Sequence, residues 1–322
     1  MDHKVYPLET IASTRNQKVK NTILLQKPRE RKKQNLFLVE GQKEVTRAIQ
    51  AGYTFERFFI CRELYEGGRQ SRTFEGDLET PNSASRSKHQ NAERDLKNHD
   101  SESNLKHHRS GSDLKHQGSE LDLKQIPDTC EIDYVSPKVY AHMAYRGTTE
   151  GIIGWALPKN HDLNEIKLSD NPLILIVDAV EKPGNLGAIL RTADAAGIDA
   201  LIISDTRTDV YNPNVIRSSL GAVFSTQVGV SESESVIDWL KKNKIKIYCT
   251  ALTVSKQYTD IDYSFPSAIV MGTEATGLSD SWLKQSDQNI IIPMKGIVDS
   301  MNVSVSTGIV LFEAVRQRNI DQ

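Results

Sequence analysis

The chain has 322 residues, a length that favours two globular domains over one. Forty Lys and Arg against 42 Asp and Glu leave a formal net charge of −2, so total charge does not mark a nucleic-acid partner and any such partner must be read from where the charges sit. Hydrophobic residues make up 38% of the chain. Mean hydropathy is −0.45, polar enough to suggest one segment that does not fold. Three cysteines (Cys61, Cys130, Cys249) leave no fully paired disulfide framework and show no metal-ligand spacing, so a reducing compartment without structural zinc is expected. The opening residues lack the apolar core of a signal peptide, and no run of about 18 apolar residues occurs. A cytoplasmic protein with no membrane contact is expected.

In chain order, Asn35 to Leu64 reads as strand (LFLV), helix from Gly41 to Ala51, and strand (RFFIC). Residues 66–126 then turn polar, rich in Ser, His, Asn, Lys and Glu, and cannot bury enough apolar surface to offset chain entropy. Leu-Lys recurs there at Leu96, Leu105, Leu114 and Leu123, nine residues apart each time, which supplies no face to stack and reads as an expanded repeat in a disordered insert. After it come strand (EIDYV), a helix opened by Ser136 and Pro137, and strand (GIIGWA). Residues 1–157 are thus expected to form one small α/β domain split by the insert, and residues 158–171 a linker.

From Pro172 the alternation restarts: strand LILIVDAV, helix from Asn185 to Ala196, strand ALIIS, helix from about Asn214 to Ala222, strand TQVGV, helix from Ser233 to Lys242, strand IKIYC. Strand AIVMG, helix SDSWLKQ, strand NIIIP and a helix to about Arg318 complete residues 172–322 as a parallel-sheet α/β domain. Ligands of such sheets bind beyond the carboxyl ends of the strands, which directs attention to the loops after Val180, Gly272 and Pro293.

Those loops read DAVEKPGNLGAILRTADAAG, VMGTEATGLS and IIPMKGIVDSMNVSVSTG. Each joins an apolar strand to a Gly-bearing turn and a helix start, which exposes backbone N–H groups to a ligand. None has the dinucleotide Gly spacing or a GK[ST] phosphate loop. In the first, Leu186, Ile189, Leu190 and Ala193 form the buried helix face, and Arg191, about 140° from Leu186, projects off it. Asn185 reads equally as the cap of that helix. Val303-Ser-Val305-Ser alternates like a strand.

Taken together, the three loops resemble the motifs of the SpoU (TrmH) family of RNA ribose 2′-O-methyltransferases, of the SPOUT class. The first motif runs Asn185-Leu-Gly-Ala-Ile-Leu-Arg191-Thr-Ala, the second Met271-Gly-Thr-Glu274-Ala-Thr-Gly277-Leu-Ser, and the third from Ile292 through Ser300-Met-Asn302. LVEGQKEV and RGTTEGIIG give the first domain a looser likeness to the family's substrate-binding domain. The insert departs from the pattern. The resemblance implies a trefoil-knotted catalytic domain that works as a homodimer and binds S-adenosyl-L-methionine through Gly272, Thr273, Gly277, Ile292, Pro293 and Met301. It also implies a catalytic set of Arg191, Asn185, Glu274, Ser300 and Asn302, and makes the residues after Asn302 the start of the last helix. A guanidinium is a poor literal base, so Arg191 is better suited to clamping the phosphate beside the target ribose, although a perturbed site would let it act as base.

Between Arg15 and Arg47 ten basic residues face three acidic ones, a local net of +7. Arg15, Lys18, Arg29, Arg31, Lys32 and Lys33 are the expected phosphate contacts. Ribosomal RNA is the expected substrate, with transfer RNA second. A non-catalytic RNA-binding protein and a base methyltransferase are the competing readings; the complete set of motif residues argues against the first, and Arg191 with Ser300-x-Asn302 against the second.

Overall fold

The computed structural model describes residues 10–66, 123–145, 150–252, 255–273 and 277–319. Residues 67–122 of the insert, with its histidines and the first three copies of its repeat, and Glu274 lie outside the described residues. Leu123 packs against the core and Ile126 is buried in it, so the last residues of the expected 66–126 insert belong to the folded domain.

The N-terminal sheet holds β1 (Phe37–Glu40), β2 (Phe55–Ile60), β3 (Glu131–Tyr134) and β4 (Ile152–Ala156) in the order β1-β4-β2-β3. Only β2 and β3 are parallel, so this is a mixed sheet. Successive residues bury opposite faces. Leu38, Phe59, Ile153 and Trp155 pack with Val19 of the first helix (Gln17–Leu24), with Leu25 at its C-terminal cap, and with Val139, Tyr140 and Met143 of the Pro137–Met143 helix. Ser136 caps the latter by accepting from Val139 N, as its sequence suggests. The other face presents Phe37, Val39, Phe58 and Ile60 to a core shared with the second half of the chain. Gly154 leaves the space in which the Phe55 and Phe58 rings stack 4.7 Å apart, since a β-carbon there would lie 2.6 Å from Phe55.

The second sheet holds β5 (Leu173–Asp178), β6 (Ala200–Ser204), β7 (Val228–Ser231), β8 (Lys246–Thr250), β9 (Lys256–Gln257), β10 (Ser267–Met271) and β11 (Gln288–Ile291), in the order β7-β6-β5-β10-β8-β11-β9. Every pairing in it is parallel. The chain runs outward from β5 through β6 to β7 and then returns to the other side of β5. The strand order therefore reverses between β5 and β10, where a crevice opens beyond their carboxyl ends.

Several elements differ from the sequence expectation. The helix expected from Asn214 to Ala222 is two, Pro213–Ser218 and Ala222–Ser225, because Leu220 (φ 52°) and Gly221 (φ 79°) take consecutive left-handed conformations that end the first. The first-motif helix begins at Pro183, which suits a first helical position, so Asn185 lies inside it and does not cap it. Segment 158–171 is packed against the second sheet: Leu163 is buried with Ile174 and Ile202, and Val230 N donates to His161 O at 2.9 Å.

The two halves meet through an aromatic cluster. Phe37 stacks on Tyr211 with centroids 4.0 Å apart, Tyr53 meets Phe224 edge-on, and the Tyr53 and Tyr211 hydroxyls lie 3.2 Å apart. His161 donates from Nδ1 to Val228 O, and its Nε2 lies 2.9 Å from the Tyr211 hydroxyl; burial holds its pKa below the ordinary value. Beside the cluster the nearly inaccessible Arg31 donates from Nε to Asp209 Oδ2 at 2.7 Å and from Nη1 to Leu25 O and Gln26 O. Arg31 therefore joins the halves and is withdrawn from any RNA surface, contrary to the sequence expectation. Arg31→Ala is expected to cost about 2 kcal/mol by stranding Asp209 and two carbonyls, read as a lower denaturation midpoint.

Candidate active site

Three loops converge beyond β5, β10 and β11. Gly272 follows β10, and the chain folds straight back: Thr273 N donates to Gly277 O at 3.1 Å and Gly277 N to Thr273 O at 3.2 Å. Gly277 sits at φ 67°. A β-carbon on Gly272 would lie 2.5 Å from the Gly277 carbonyl carbon, so only glycine permits this close return. The third loop runs from Ile292 to Met301 with Ile297 and Val298 fully or largely exposed, and ends at Asn302.

Asn302 caps the Val303–Asn319 helix: its Oδ1 accepts from Ser304 N at 3.0 Å, and its carbonyl from Ser306 N. The helix thus starts where the family resemblance implies, against the strand-like alternation of Val303 to Ser306. The Asn302 amide is also used on its other side, where Nδ2 donates to Asn185 Oδ1 at 3.2 Å. Two asparagines 117 positions apart in sequence therefore join the first and third loops.

Two chambers adjoin this pair. The larger, about 430 Å³, is lined by Gly272, Thr273, Gly277, Ile292, Ser300 and Met301, together with apolar side chains from Leu252, Leu278 and Ile290. The smaller, about 190 Å³, is lined by Asn185 and shares the Met271, Gly272, Thr273 and Val303 wall with the larger. Beneath it the buried Asp178 carboxylate accepts from Ser204 Oγ at 2.7 Å and lies 3.0 Å from Ser233 Oγ, which accepts from Trp282 Nε1. This network fixes the end of β5.

The structure brings together Asn185, Asn302, Gly272, Thr273, Gly277, Ile292, Met301 and Ser300. Pro293 does not line the larger chamber; Ile292 and Met294 on either side of it do. Arg191 is exposed, lines neither chamber, and its side chain makes no ion pair or hydrogen bond among the described residues. The exit of β8, Thr250 to Leu252, forms part of the wall although its sequence carries no glycine. Of the expected phosphate contacts, Arg15, Arg29, Lys32 and Lys33 are exposed, as are Lys20 and Lys27, whereas Lys18 is paired with Asp133 at 2.9 Å. Among the described residues no group of three or more His, Cys, Asp or Glu is placed to hold a metal ion.

The SpoU rRNA methylase family model matches residues 172–312, and an MRM3-like substrate-binding domain model matches residues 16–85. The chain is 37% identical over 148 residues to the 23S rRNA (guanosine(2553)-2′-O)-methyltransferase RlmP of Bacillus subtilis, which covers 46% of this chain and 60% of that protein. It is 38% identical over 195 residues to the 23S rRNA (guanosine-2′-O-)-methyltransferase RlmB of Photobacterium profundum, covering 59% of this chain and 80% of that one. It also spans 57% of a 23S rRNA (uridine(2479)-2′-O)-methyltransferase of Streptomyces viridochromogenes, at 34% identity over 163 residues and 49% of this chain. Among solved structures, an RNA 2′-O ribose methyltransferase superposes with a TM-score of 0.70 at 30% identity, over 97% of this chain and all of that one. The AdoMet-bound rRNA methyltransferase of Sinorhizobium meliloti shares the fold, with a TM-score of 0.72 at 24% identity over 96% of this chain and 98% of that one. The chain spans about 60% of RlmP and of the Streptomyces viridochromogenes methyltransferase. With the three loops assembled at one sheet edge, and RlmB of Photobacterium profundum matched over 80% of its length, the chain belongs to the SpoU rRNA methylase family.

Proposed function

We propose that this protein is an S-adenosylmethionine-dependent RNA methyltransferase that methylates a ribose 2′-hydroxyl in ribosomal RNA. The observation that carries the proposal is the pair of chambers with a common wall, beside which Asn302 donates to Asn185 of the smaller chamber. A two-substrate reaction needs its reactants on either side of one boundary in fixed register. The three sequence relatives named above are 23S rRNA methyltransferases, and the exposed cations from Arg15 to Lys33 supply sequence-independent attraction for RNA.

The larger chamber fits the cofactor: its volume lies within the roughly 300–1,000 Å³ of small-molecule sites, its wall is mainly apolar, and its glycine turn leaves backbone open to a ligand. Bound there, S-adenosylmethionine supplies an electrophilic methyl group on a sulfonium. Gly272, Gly277, Ile292 and Met301 would hold it against the mainly apolar wall. Asn185 lines the adjoining chamber, where its amide orients the ribose hydroxyl that attacks. The 2′-oxygen would gain the methyl group as the methyl–sulfur bond breaks, leaving the neutral thioether S-adenosylhomocysteine, and its proton would pass to solvent; Glu274, Ser300 and Asn302 belong to the set assigned to that end of the reaction. Arg191 is assigned to the RNA phosphate from outside the chambers.

The same reading includes the trefoil knot, an RNA-binding domain over residues 1–157, a methyltransferase domain over residues 172–322, a cytoplasmic setting and a homodimer. No helix among the described residues is long and apolar enough to cross a membrane. Val305, Ile309 and Phe312 form a stripe on the last helix, with Val305 and Phe312 about half exposed, and this is the face assigned to a second copy. Phe312→Glu is expected to convert a dimer to monomers in sedimentation analysis. Calorimetric titration with S-adenosylhomocysteine tests the cofactor assignment. Saturable one-site binding is expected, and no heat with folded protein, alone or with RNA, would overturn it.

A further inference from the structure

The smaller chamber has a rim that none of the three sequence motifs accounts for. Arg207, in the loop after β6, lines it together with Glu181 and Lys182. That loop is built: Ser233 Oγ lies 2.6 Å from Asp205 Oδ2, Thr206 Oγ1 donates to Thr208 O at 2.7 Å, and Thr208 Oγ1 donates to Glu181 O at 2.6 Å. The Arg207 guanidinium is ion-paired through Nη1 with Glu181 Oε1. About 63% of its side chain is nevertheless exposed, and among the described residues its Nε and Nη2 make no hydrogen bond. A guanidinium held at one corner and open along the Nε–Nη2 edge presents the two parallel donors that suit a phosphate.

At about 190 Å³ the smaller chamber is less than half the size of the larger and below the range of drug-sized sites, a size that suits one sugar or base better than a second cofactor. Its inner wall is the wall of the larger chamber, and Asn185 lies between rim and wall. Arg191, outside both chambers, is not placed to hold the same nucleotide within this chain.

We infer that the smaller chamber receives the target nucleotide of the RNA and that Arg207, oriented by Glu181, binds that nucleotide's phosphate. The inference rests on the methyltransferase reading, which already places the target ribose in this chamber, and adds to it a substrate-binding residue. Phosphate contacts set register without reading sequence, so Arg207 fixes which ribose faces the methyl donor while the N-terminal cations supply most of the affinity.

The test uses the full chain, ribosomal RNA isolated from cells lacking this protein, and S-adenosylmethionine labelled in the methyl group. Arg207→Ala is expected to lower kcat/KM by about 10², while S-adenosylhomocysteine affinity by calorimetry and RNA affinity by filter binding stay within about threefold. Arg207→Lys is expected to recover little, since an ammonium lacks the planar fork, and Glu181→Gln to fall between. Wild-type kcat/KM in folded Arg207→Ala would overturn the inference, as would an equal loss of cofactor affinity. If Arg207→Ala fails to fold, normal turnover by both Arg207→Lys and Glu181→Gln overturns it. Failure of the wild-type protein to label any RNA would remove the methyltransferase reading itself, whereas labelling with Arg207→Ala unimpaired removes only this inference.

Discussion

Gly272→Ala is expected to weaken S-adenosylhomocysteine binding by about 10² or more while the protein still folds. The added β-carbon would meet the Gly277 carbonyl carbon at 2.5 Å and both Gly277 O and Leu278 N at 2.7 Å. All three are backbone atoms, so no side chain can swing aside and the loop itself must open. Opening breaks the reciprocal Thr273–Gly277 hydrogen bonds, worth about 1 kcal/mol each, and strains the turn by a further ~1–3 kcal/mol. Gly272 lines both chambers, so the displaced wall affects cofactor and RNA together. Calorimetry and a thermal melt on the same sample check this; wild-type affinity in the variant would contradict the placement of the cofactor.

The second large effect is expected at Asn302, where two roles can be separated. Its Oδ1 caps the last helix and its Nδ2 donates to Asn185. Asn302→Ala removes both, with an expected loss of about 1 kcal/mol in stability. Asn302→Asp keeps the cap, because a carboxylate at a helix N-terminus is favoured by the dipole, but it replaces the donor with an acceptor facing Asn185 Oδ1. The Asp variant is therefore expected to melt like wild type and to turn over about 10²-fold more slowly. Near-normal turnover in Asn302→Asp would show that the Asn185–Asn302 contact does not position the ribose.

How far the sequence carries can be judged residue by residue. The parallel sheet is legible because strands such as Leu173 to Asp178 and Ala200 to Ser204 are buried on both faces and read as continuous apolar runs. The converging loops are legible because their glycines and helix starts recur at strand exits. Arg31 is not legible as an interdomain clamp, since its partner Asp209 lies 178 positions away and a buried guanidinium reads like any member of a basic run. The helix break at Leu220 hides for a different reason: a non-glycine residue at positive φ leaves no mark in composition. β9 is two residues long, too short for any period to register. Arg207 follows the apolar strand β6 in a loop without glycine, so only the folded chain brings it beside Asn185.

The central claim is tested most directly by mass-spectrometric mapping of ribose methylation in total RNA from cells with and without this protein. The account predicts that at least one 2′-O-methyl group in ribosomal RNA disappears with the protein. It should return on re-expression of the wild-type chain but not of Asn302→Asp. An unchanged ribose-methylation map of ribosomal RNA would contradict it.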